Sequence, residues 1–528
     1  MKDTFRQSMA WLHTWTGISL GWLLYFIFVT GSIGYFAVEI DQWMTPERSL
    51  NGPGASAAES VAVAQEYLQE TVPSSGRWNI DPPGIRENPD LEIAWQDSNG
   101  SRQNRLLAPD TGDPVEYRDT GGGMTLYRMH YQLHYLPRTT AFWIVGIASM
   151  AMLVTLIAGI VIHRRIIRDL FTFRTGKGQR SWLDAHNLFS VLPLPFHLMI
   201  TWSGLVFLGF TYMSVIISAG YGAESAPQQT FFSERFPGVF HAEAHDQPAD
   251  LIEIKGLVHR AETKWGDRSV RHVTIQNPGD SGARIGIARD NHTVFRSSEQ
   301  LVFDGVTGEL LEHYEPPLGS AGVVRDSLLG LHEGRFADAP LRWLYFLSGL
   351  AGAAMIATGL VLWSVKRRLA RETRPDSTMG PALVERLNVA VIVGLLVAIL
   401  AYFLANRLLP VHLENRSDWE VHAMFITWAA LILHSLARPA RRLWREQLAL
   451  LVLVALALPV VNLLVTDRHL GVTLTQASWV MAGTDLAALT VAGLAVYAWY
   501  RVGNVRAGSE NTNMGHASRA SANEETSQ

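Results

Sequence analysis

The sequence predicts an all-α polytopic membrane protein with about eight transmembrane helices and two external α+β modules. The 528-residue chain is 48% hydrophobic and only 17% charged, which favours membrane embedding. Eight apolar runs are long enough, or nearly so, to cross a hydrocarbon core of about 30 Å as helices of about 20 residues. Two long polar segments interrupt these runs, at residues 39–139 and 219–340.

The predicted spans follow one another along the chain with clear polar breaks. They lie at 14–38, 140–163, 188–218, 341–364, 386–406, 420–437, 447–466 and 484–501. The first run continues to Glu39 and Asp41 without a small-residue cleavage site, so we interpret it as a true span and not as a secretory signal.

Positive charges indicate the orientation of the spans. Lys and Arg cluster in the loops 164–186 and 365–385 and again after residue 437, and such clusters mark the cytoplasmic side. Both termini are therefore predicted to be cytoplasmic and the two long polar segments to lie on the external side. The tail at 502–528 has little apolar content and is predicted to be disordered.

Each long polar segment contains one predicted module, at 56–118 and at 230–315. Each module opens with helical spacing and continues with alternating strands such as Leu91–Gln96 and Arg284–Ala288. Each also has a Thr-Gly turn, in which glycine supplies a positive φ. The sequence therefore predicts two copies of one module.

The repeat extends into the membrane. His13 and His186 each precede a glycine by 18 residues, Gly31 and Gly204. The second and fourth spans each carry a Trp and a Gly 16 residues apart: Trp143 with Gly159, and Trp343 with Gly359. Residues 1–163 and 187–364 are thus two halves, each helix, module, helix, which predicts a four-helix core with an axis along the membrane normal. Residues 386–501 form a separate four-helix region.

Histidines at the ends of the core spans are the candidate site residues. A histidine in a bilayer generally has a partner, most often a metal or a proton pathway. A b-type haem needs only axial imidazoles from facing helices, and the absence of cysteine excludes c-type haem, iron–sulfur clusters and disulfides. We predict that His13 and His186 bind one haem near the cytoplasmic face and that His134 and His332 bind a second on the external side.

Three further histidines compete for these roles. His130 is as well spaced as His134, and we favour His134 because it is closer to the membrane. His197 lies 11 residues after His186, about 16 Å deeper on a straight helix. His163 ends the second span, where the other half has Trp363. Asp184 either orients His186 or caps the helix start, and we favour the cap.

The order of these motifs resembles the PepSY-associated transmembrane family. The motifs are Trp11-Leu12-His13 at the first span, an external module with a Thr-Gly turn, Asp184-Ala185-His186-Asn187 before the third span, and the duplication that ends at Lys366-Arg367-Arg368. The likeness covers about residues 1–370. It implies a bacterial inner-membrane protein, and some members resemble di-haem ferric-siderophore reductases that take part in iron acquisition.

These observations predict a haem-containing oxidoreductase of the inner membrane that reduces ferric-siderophore iron on the periplasmic side. There is no Gly-rich nucleotide-binding loop after a strand on the cytoplasmic side, so electrons would come from quinol or a separate reductase. The alternative is a membrane-anchored PepSY regulator of periplasmic proteolysis, and a transporter ranks third. A net charge of −4 gives no indication of a nucleic-acid partner.

Overall fold

The computed structural model describes residues 4–48, 55–97, 100–163, 168, 174–222, 230–231, 242–290, 292–316, 319–373 and 380–525. The chain forms two compact units. The membrane unit comprises Met1–Pro46, Arg118–His197 and Phe346–Gln528. The sheet unit comprises Glu47–Tyr117 and Leu198–Tyr345.

The helices dominate the chain and follow the apolar runs. In the first half they are α1 (Phe5–Gly34), α2 (Ala37–Met44), α3 (Ala57–Thr71), α4 (Gly122–Gln132), α5 (Arg138–Ile162), α6 (Gln179–Val191), α7 (Leu194–Phe207), α8 (Gly209–Tyr212) and α9 (Ser214–Tyr221). In the second half they are α10 (Ile254–Trp265), α11 (Gly319–Glu333), α12 (Ala339–Thr373), α13 (Gly380–Ile392), α14 (Gly394–Leu408), α15 (Arg416–Ala437), α16 (Ala440–Val465), α17 (Leu470–Thr475) and α18 (Trp479–Glu525).

Within the described residues, seven helical stretches are long and apolar enough to span a membrane, and a bent pair raises the count to eight. This confirms a multi-pass helical membrane protein. The helix α1 begins at Phe5, where Thr4 and Gln7 form a capping box, nine residues before the predicted start of the first span. His13 therefore lies inside α1 and does not precede it.

The third predicted span, 188–218, is not one straight helix. The helices α6 and α7 meet at an angle of 63°, and the break contains Pro193. Proline lacks a backbone N–H and disfavours helical geometry in the residue before it, which accounts for the break. The depth of about 16 Å expected for His197 assumed a straight helix and does not apply across this bend.

The two predicted modules form the two halves of one eight-stranded antiparallel sheet. The strands are β1 (Arg77–Asp81), β2 (Leu91–Gln96), β3 (Arg102–Leu107), β4 (Pro114–Val115), β5 (Val270–Gln276), β6 (Arg284–Arg289), β7 (Gln300–Asp304) and β8 (Leu310–Tyr314). Their order is β4-β3-β2-β1-β5-β6-β7-β8, so the first strand of each module pairs with its equivalent, with Trp78 opposite Ile275.

One apolar core serves both halves of the sheet. The helices α3 and α10 contribute Val61, Leu68, Leu257 and Ala261, which pack with buried strand residues including Ile80. The helix α3 starts with a capping box formed by Ser56 and Glu59, and its apolar face follows the helical spacing visible in the sequence.

The C-terminal region, α13 to α18, packs within the membrane unit. Its last helix extends to Glu525, although the composition of 502–528 predicts disorder. Alanine and glutamate recur in that stretch, and both are good helix formers. The predicted basic-loop residues Arg164, Arg165 and Arg374 lie outside the described residues.

Candidate functional site: histidines against glycines around a membrane cavity

The membrane unit contains a cavity of about 470 Å³. This volume falls within the range of about 300–1,000 Å³ typical of cofactor and small-molecule sites. Side chains of α1, α5, α6 and α12 form its walls, and most of them are apolar, including Leu24, Met152, Leu156 and Ile356. The four helices are those that the repeat predicted to form the core.

His13 and His186 both line this cavity. Their ring centres are 6.2 Å apart, and the ring planes are inclined at 75°. The prediction that these two histidines lie at one level is therefore consistent with the geometry of the membrane unit.

Each of the two imidazoles is fixed by a main-chain carbonyl of the facing helix. Nδ1 of His13 lies 2.9 Å from the carbonyl oxygen of Thr155, and Nδ1 of His186 lies 2.8 Å from that of Met355. A hydrogen on Nδ1 donates to this oxygen and leaves Nε2 with its lone pair, which is the form that binds a metal. Both rings are thus held in the tautomer that an axial ligand needs.

A glycine lies under each ring, one helical turn beyond the carbonyl. A Cβ on Gly159 would stand 3.4 Å from Cε1 of His13, and a Cβ on Gly359 would stand 3.1 Å from Cε1 of His186. These are the two glycines that mark the repeat in the second and fourth spans. Glycine lets the imidazole pack directly on the helix backbone, and the approach is closest at Gly359.

The separation of the rings fits two axial ligands of one metal. Metal–imidazole bonds of about 2 Å, with about 1 Å from each nitrogen to its ring centre, place two ring centres about 6 Å apart. The cavity walls also include Lys366 and Arg367, whose cationic groups suit the propionates of a haem. The residues present therefore fit a b-type haem.

His130 has the same relation to the glycine of the first span. A Cβ on Gly31 would stand 3.6 Å from Cγ of His130, and the Nδ1 of this ring is hydrogen-bonded to the carbonyl of Tyr127. Burial lowers the pKa of His130 to about 4, so the imidazole is neutral at physiological pH. A neutral ring is what metal ligation requires.

His332 has the equivalent glycine within the sheet unit. A Cβ on Gly204 would stand 3.1 Å from Cε1 of His332, and the Oγ of Ser203 lies 2.9 Å from its Nδ1. Phe207 packs against the ring at 5.2 Å. All four glycines of the sequence repeat therefore contact a histidine of another helix.

The preference for His134 over His130 is not supported by this geometry. The helix α4 ends at Gln132, and Leu133 adopts a left-handed conformation with φ 49° that turns the chain. His134 is exposed, and its ring stacks on Phe425 at 6.2 Å. His130, four residues earlier and inside α4, occupies the position that matches the repeat.

Two further candidate histidines and Asp184 also lie in the membrane unit. His197 is fully buried, with Nε2 3.3 Å from the carbonyl of Ser348, and His163 ends α5 and lines the cavity. Asp184 does not cap a helix, because α6 begins five residues earlier. Its carboxylate is directed to Arg174 and not to His186, since it accepts two hydrogen bonds from that guanidinium at 2.9 and 2.8 Å.

The fold and the site define a multi-pass membrane protein with paired histidines in its membrane unit and an eight-stranded sheet built from two modules. The family model of the PepSY-associated TM region matches residues 10–366, and the chain belongs to this family. This confirms the resemblance seen in the motifs. The chain is also similar to the uncharacterized protein PA4219 of Pseudomonas aeruginosa, with 24% identity over 369 residues, 67% of this chain and 89% of that protein.

Proposed function

We propose that this protein is a haem-containing oxidoreductase that passes electrons across the bacterial inner membrane and reduces ferric-siderophore iron. One observation carries the proposal: His13 and His186 meet across a cofactor-sized cavity, each with Nδ1 at a carbonyl one turn before a glycine. Purely structural histidines do not require this duplicated arrangement.

The chain's own residues perform the binding and orientation. His13 and His186 provide Nε2 ligands, the glycines allow the rings to lie against the helix backbones, and apolar side chains exclude water from the cavity. Lys366 and Arg367 would neutralise the acidic groups of the cofactor. When bound, haem b supplies a one-electron carrier, and the redox chemistry belongs to that cofactor.

Further ligands are proposed from the same relation to glycine. Gly31, which contacts His130, lies 18 residues after His13 in α1, a rise of about 27 Å. This is close to the thickness of a hydrocarbon core of about 30 Å. His130 is therefore proposed as a ligand of an outer haem, in place of His134. His332, in the sheet unit, is proposed as a haem ligand from its own contact with Gly204.

The electron balance is simple. One electron converts Fe(III) of the chelate to Fe(II), and it comes from quinol or from a separate reductase. Fe(II) is a weaker partner for hard oxygen ligands, so it leaves the siderophore. The basic loops support cytoplasmic termini and a periplasmic sheet unit.

Haem quantification tests the proposal. The full chain, extracted gently from iron-replete cells, is expected to show a Soret band and sharp α-bands after dithionite. Pyridine haemochrome values should fall by about one haem in His13→Ala and in His186→Ala, and by about one in His130→Ala and in His332→Ala.

His134→Ala is the matched control, because this residue is an exposed histidine four positions from His130. It should retain the wild-type haem content. A colourless wild-type protein would overturn the redox proposal and leave the PepSY regulator of proteolysis as the alternative. Equal loss in His134→Ala and His130→Ala would overturn the assignment of the outer ligand.

Activity is tested in proteoliposomes that enclose dithionite and face an Fe(III)–hydroxamate chelate outside. The protein should produce external Fe(II), trapped with a ferrous chromophore, and His186→Ala should reduce this rate to the level of empty vesicles. An unchanged rate in His186→Ala would contradict electron transfer through the cavity.

A further inference from the structure

The C-terminal region lies beyond the match to the family, which ends at residue 366, and the structure suggests what it does. Its helices α14 and α15 contact the segment Arg118–Gly123, which leads into α4. This helix carries His130. All of these contacts lie within the membrane unit.

The first turn of α4 is capped by other helices. Its N-cap residue Gly121 has no side chain to accept a hydrogen bond from the exposed N–H groups. Instead, Oε2 of Glu420 accepts from the N–H of Gly121 at 3.0 Å and from the hydroxyl of Thr120 at 2.6 Å. Asp41 accepts from the N–H of Gly123 at 2.7 Å. Two carboxylates thus replace the missing cap and oppose the helix dipole.

Glu420 is itself held rigidly. It is fully buried, and its Oε1 accepts hydrogen bonds from Arg416, also fully buried, and from the side-chain amide of Asn406 at 2.8 Å. Arg416 also donates to the carbonyl of Asp119 at 2.8 Å. A buried ion pair is weak evidence for stability, but a fully hydrogen-bonded one fixes a single geometry.

A second contact from α14 fixes the same turn. The hydroxyl of Tyr402 donates to the carbonyl of Gly122 at 2.8 Å. The backbone of Gly123 packs directly on α2, where an added Cβ would stand 2.3 Å from the carbonyl oxygen of Ala37. Because α14 and α15 contact this turn from one side and α2 from another, α4 has little freedom to slide or rotate.

We propose that Glu420, supported by Arg416, is a positioning residue that fixes α4 and thereby seats the His130 ring against Gly31. His130 is nine residues after Gly121, about 13 Å along the helix, so a rotation at the first turn carries through to the imidazole. The proposal rests on the proposed function only for the role of His130 as a haem ligand. The placement of α4 can be measured independently.

The absence of cysteine allows a direct measurement of α4. Spin labels at Arg128→Cys on α4 and Ile147→Cys on α5 occupy exposed positions of the membrane unit. In Glu420→Gln, which keeps the volume but places a donor where an acceptor oxygen stood, the distance distribution should broaden and shift by about 1–2 Å, the usual scale of helix shifts.

Gln447→Leu is the matched control in the same C-terminal region. Gln447 is buried and donates to Ser435 and to the carbonyl of Leu431, far along the chain from α4. This variant should keep the wild-type distance. Should Glu420→Gln fail to fold, the double variant Arg416→Gln/Glu420→Gln removes both charges together, and the same shift is expected.

Haem measurements separate the two proposals. With haem bound, Glu420→Gln should change the midpoint potential and the low-spin EPR signal of the outer haem and leave the inner haem unchanged. A wild-type distance distribution in a folded Glu420 variant would overturn the positioning role, whatever the haem content. A haem-free wild-type protein with a shifted distance in Glu420→Gln would overturn the proposed function and keep the positioning role.

Discussion

Glycine and histidine act together at the residue scale. Each of the four repeat glycines costs about 1 kcal/mol of helix propensity relative to alanine. At Gly204 and Gly359 the structure shows a use for that cost, because an added Cβ would stand 3.1 Å from a histidine ring of another helix; at Gly31 and Gly159 it would stand at the contact distances of 3.6 and 3.4 Å. These four glycines are therefore best understood as positions where an imidazole packs against a helix, and not as sites of helix flexibility.

Substitution of Gly359 tests this interpretation. In Gly359→Val the new Cβ would stand 3.1 Å from Cε1 and 3.2 Å from Nδ1 of His186, so the ring must move off the carbonyl of Met355. We expect loss of the inner haem without loss of folding, since valine has the better helix propensity. Haemochrome content and thermal unfolding measure the two effects.

Gly493→Val is the control for Gly359→Val. Gly493 lies in the last span, and among the described residues no heavy atom lies within 4 Å of its added Cβ. Its haem content should equal that of the wild type. Equal haem content in Gly359→Val and Gly493→Val would show that the ring does not depend on the glycine.

The cationic residues of the cavity make a second prediction at this scale. Lys366 and Arg367 line the cavity, and positive charge near a haem favours its reduced form. Replacement of both by glutamine should lower the midpoint potential of the inner haem by tens of mV, measured by spectroelectrochemical titration. Arg442→Gln, at an exposed site of α16, should leave it unchanged. A rise in potential would contradict the assignment.

At the scale of elements, the two modules are joined through their first strands and their helices. Gln65 of α3 is buried, donates to the carbonyl of Ile252 at 3.0 Å and accepts from the N–H of Ile254 at 2.9 Å. The helix α10 begins at Ile254, and its N-cap Glu253 makes no side-chain cap hydrogen bond. One amide therefore connects the helix of one module to the start of the other.

Removal of this amide should destabilise the sheet unit. Gln65→Ala removes the partner of the part-buried Ile252 carbonyl and of the buried Ile254 N–H, and the loss at a buried group costs about 1–3 kcal/mol. We expect earlier exposure of α10 and β5 to hydrogen–deuterium exchange in the full chain. Glu66→Ala, at the exposed neighbouring position on α3, is the control and should exchange like the wild type. Unchanged protection in Gln65→Ala would refute the connection.

Individual elements could be predicted from the sequence, and their pairings could not. Apolar runs and basic loops are local signals, so the spans and the shared level of His13 and His186 were accessible. The contact of His130 with Gly31 joins positions 99 residues apart, and the pairing of β1 with β5 joins two modules that each look complete alone. The turn of the chain at Leu133, which favours His130 over the predicted His134, depends on a left-handed residue that the sequence pattern does not indicate.

The whole molecule combines a duplicated core with a C-terminal region that the duplication does not include. Each half of the core contains histidines that pack against glycines. The contacts of the C-terminal region with the first turn of α4, in contrast, involve only the helix that carries His130. The inner histidines His13 and His186 have equivalent carbonyl and glycine contacts, whereas the outer histidines differ, because Nδ1 of His130 is bonded to the carbonyl of Tyr127 and Nδ1 of His332 to Ser203. Because Glu420 and Tyr402 bind the first turn of α4, their substitution should affect His130 more than the inner histidines.

The orientation of the chain is the last prediction and belongs to this scale. Because the sequence contains no cysteine, single cysteines report the side of the membrane without background. Ser101→Cys in the sheet unit, Thr175→Cys in the basic loop and Thr475→Cys in the last loop are exposed positions. Basic loops are retained in the cytoplasm, so an impermeant maleimide should label Ser101→Cys and Thr475→Cys in intact spheroplasts. Thr175→Cys should react only after lysis, and its labelling in intact spheroplasts would reverse the orientation and place the sheet unit in the cytoplasm.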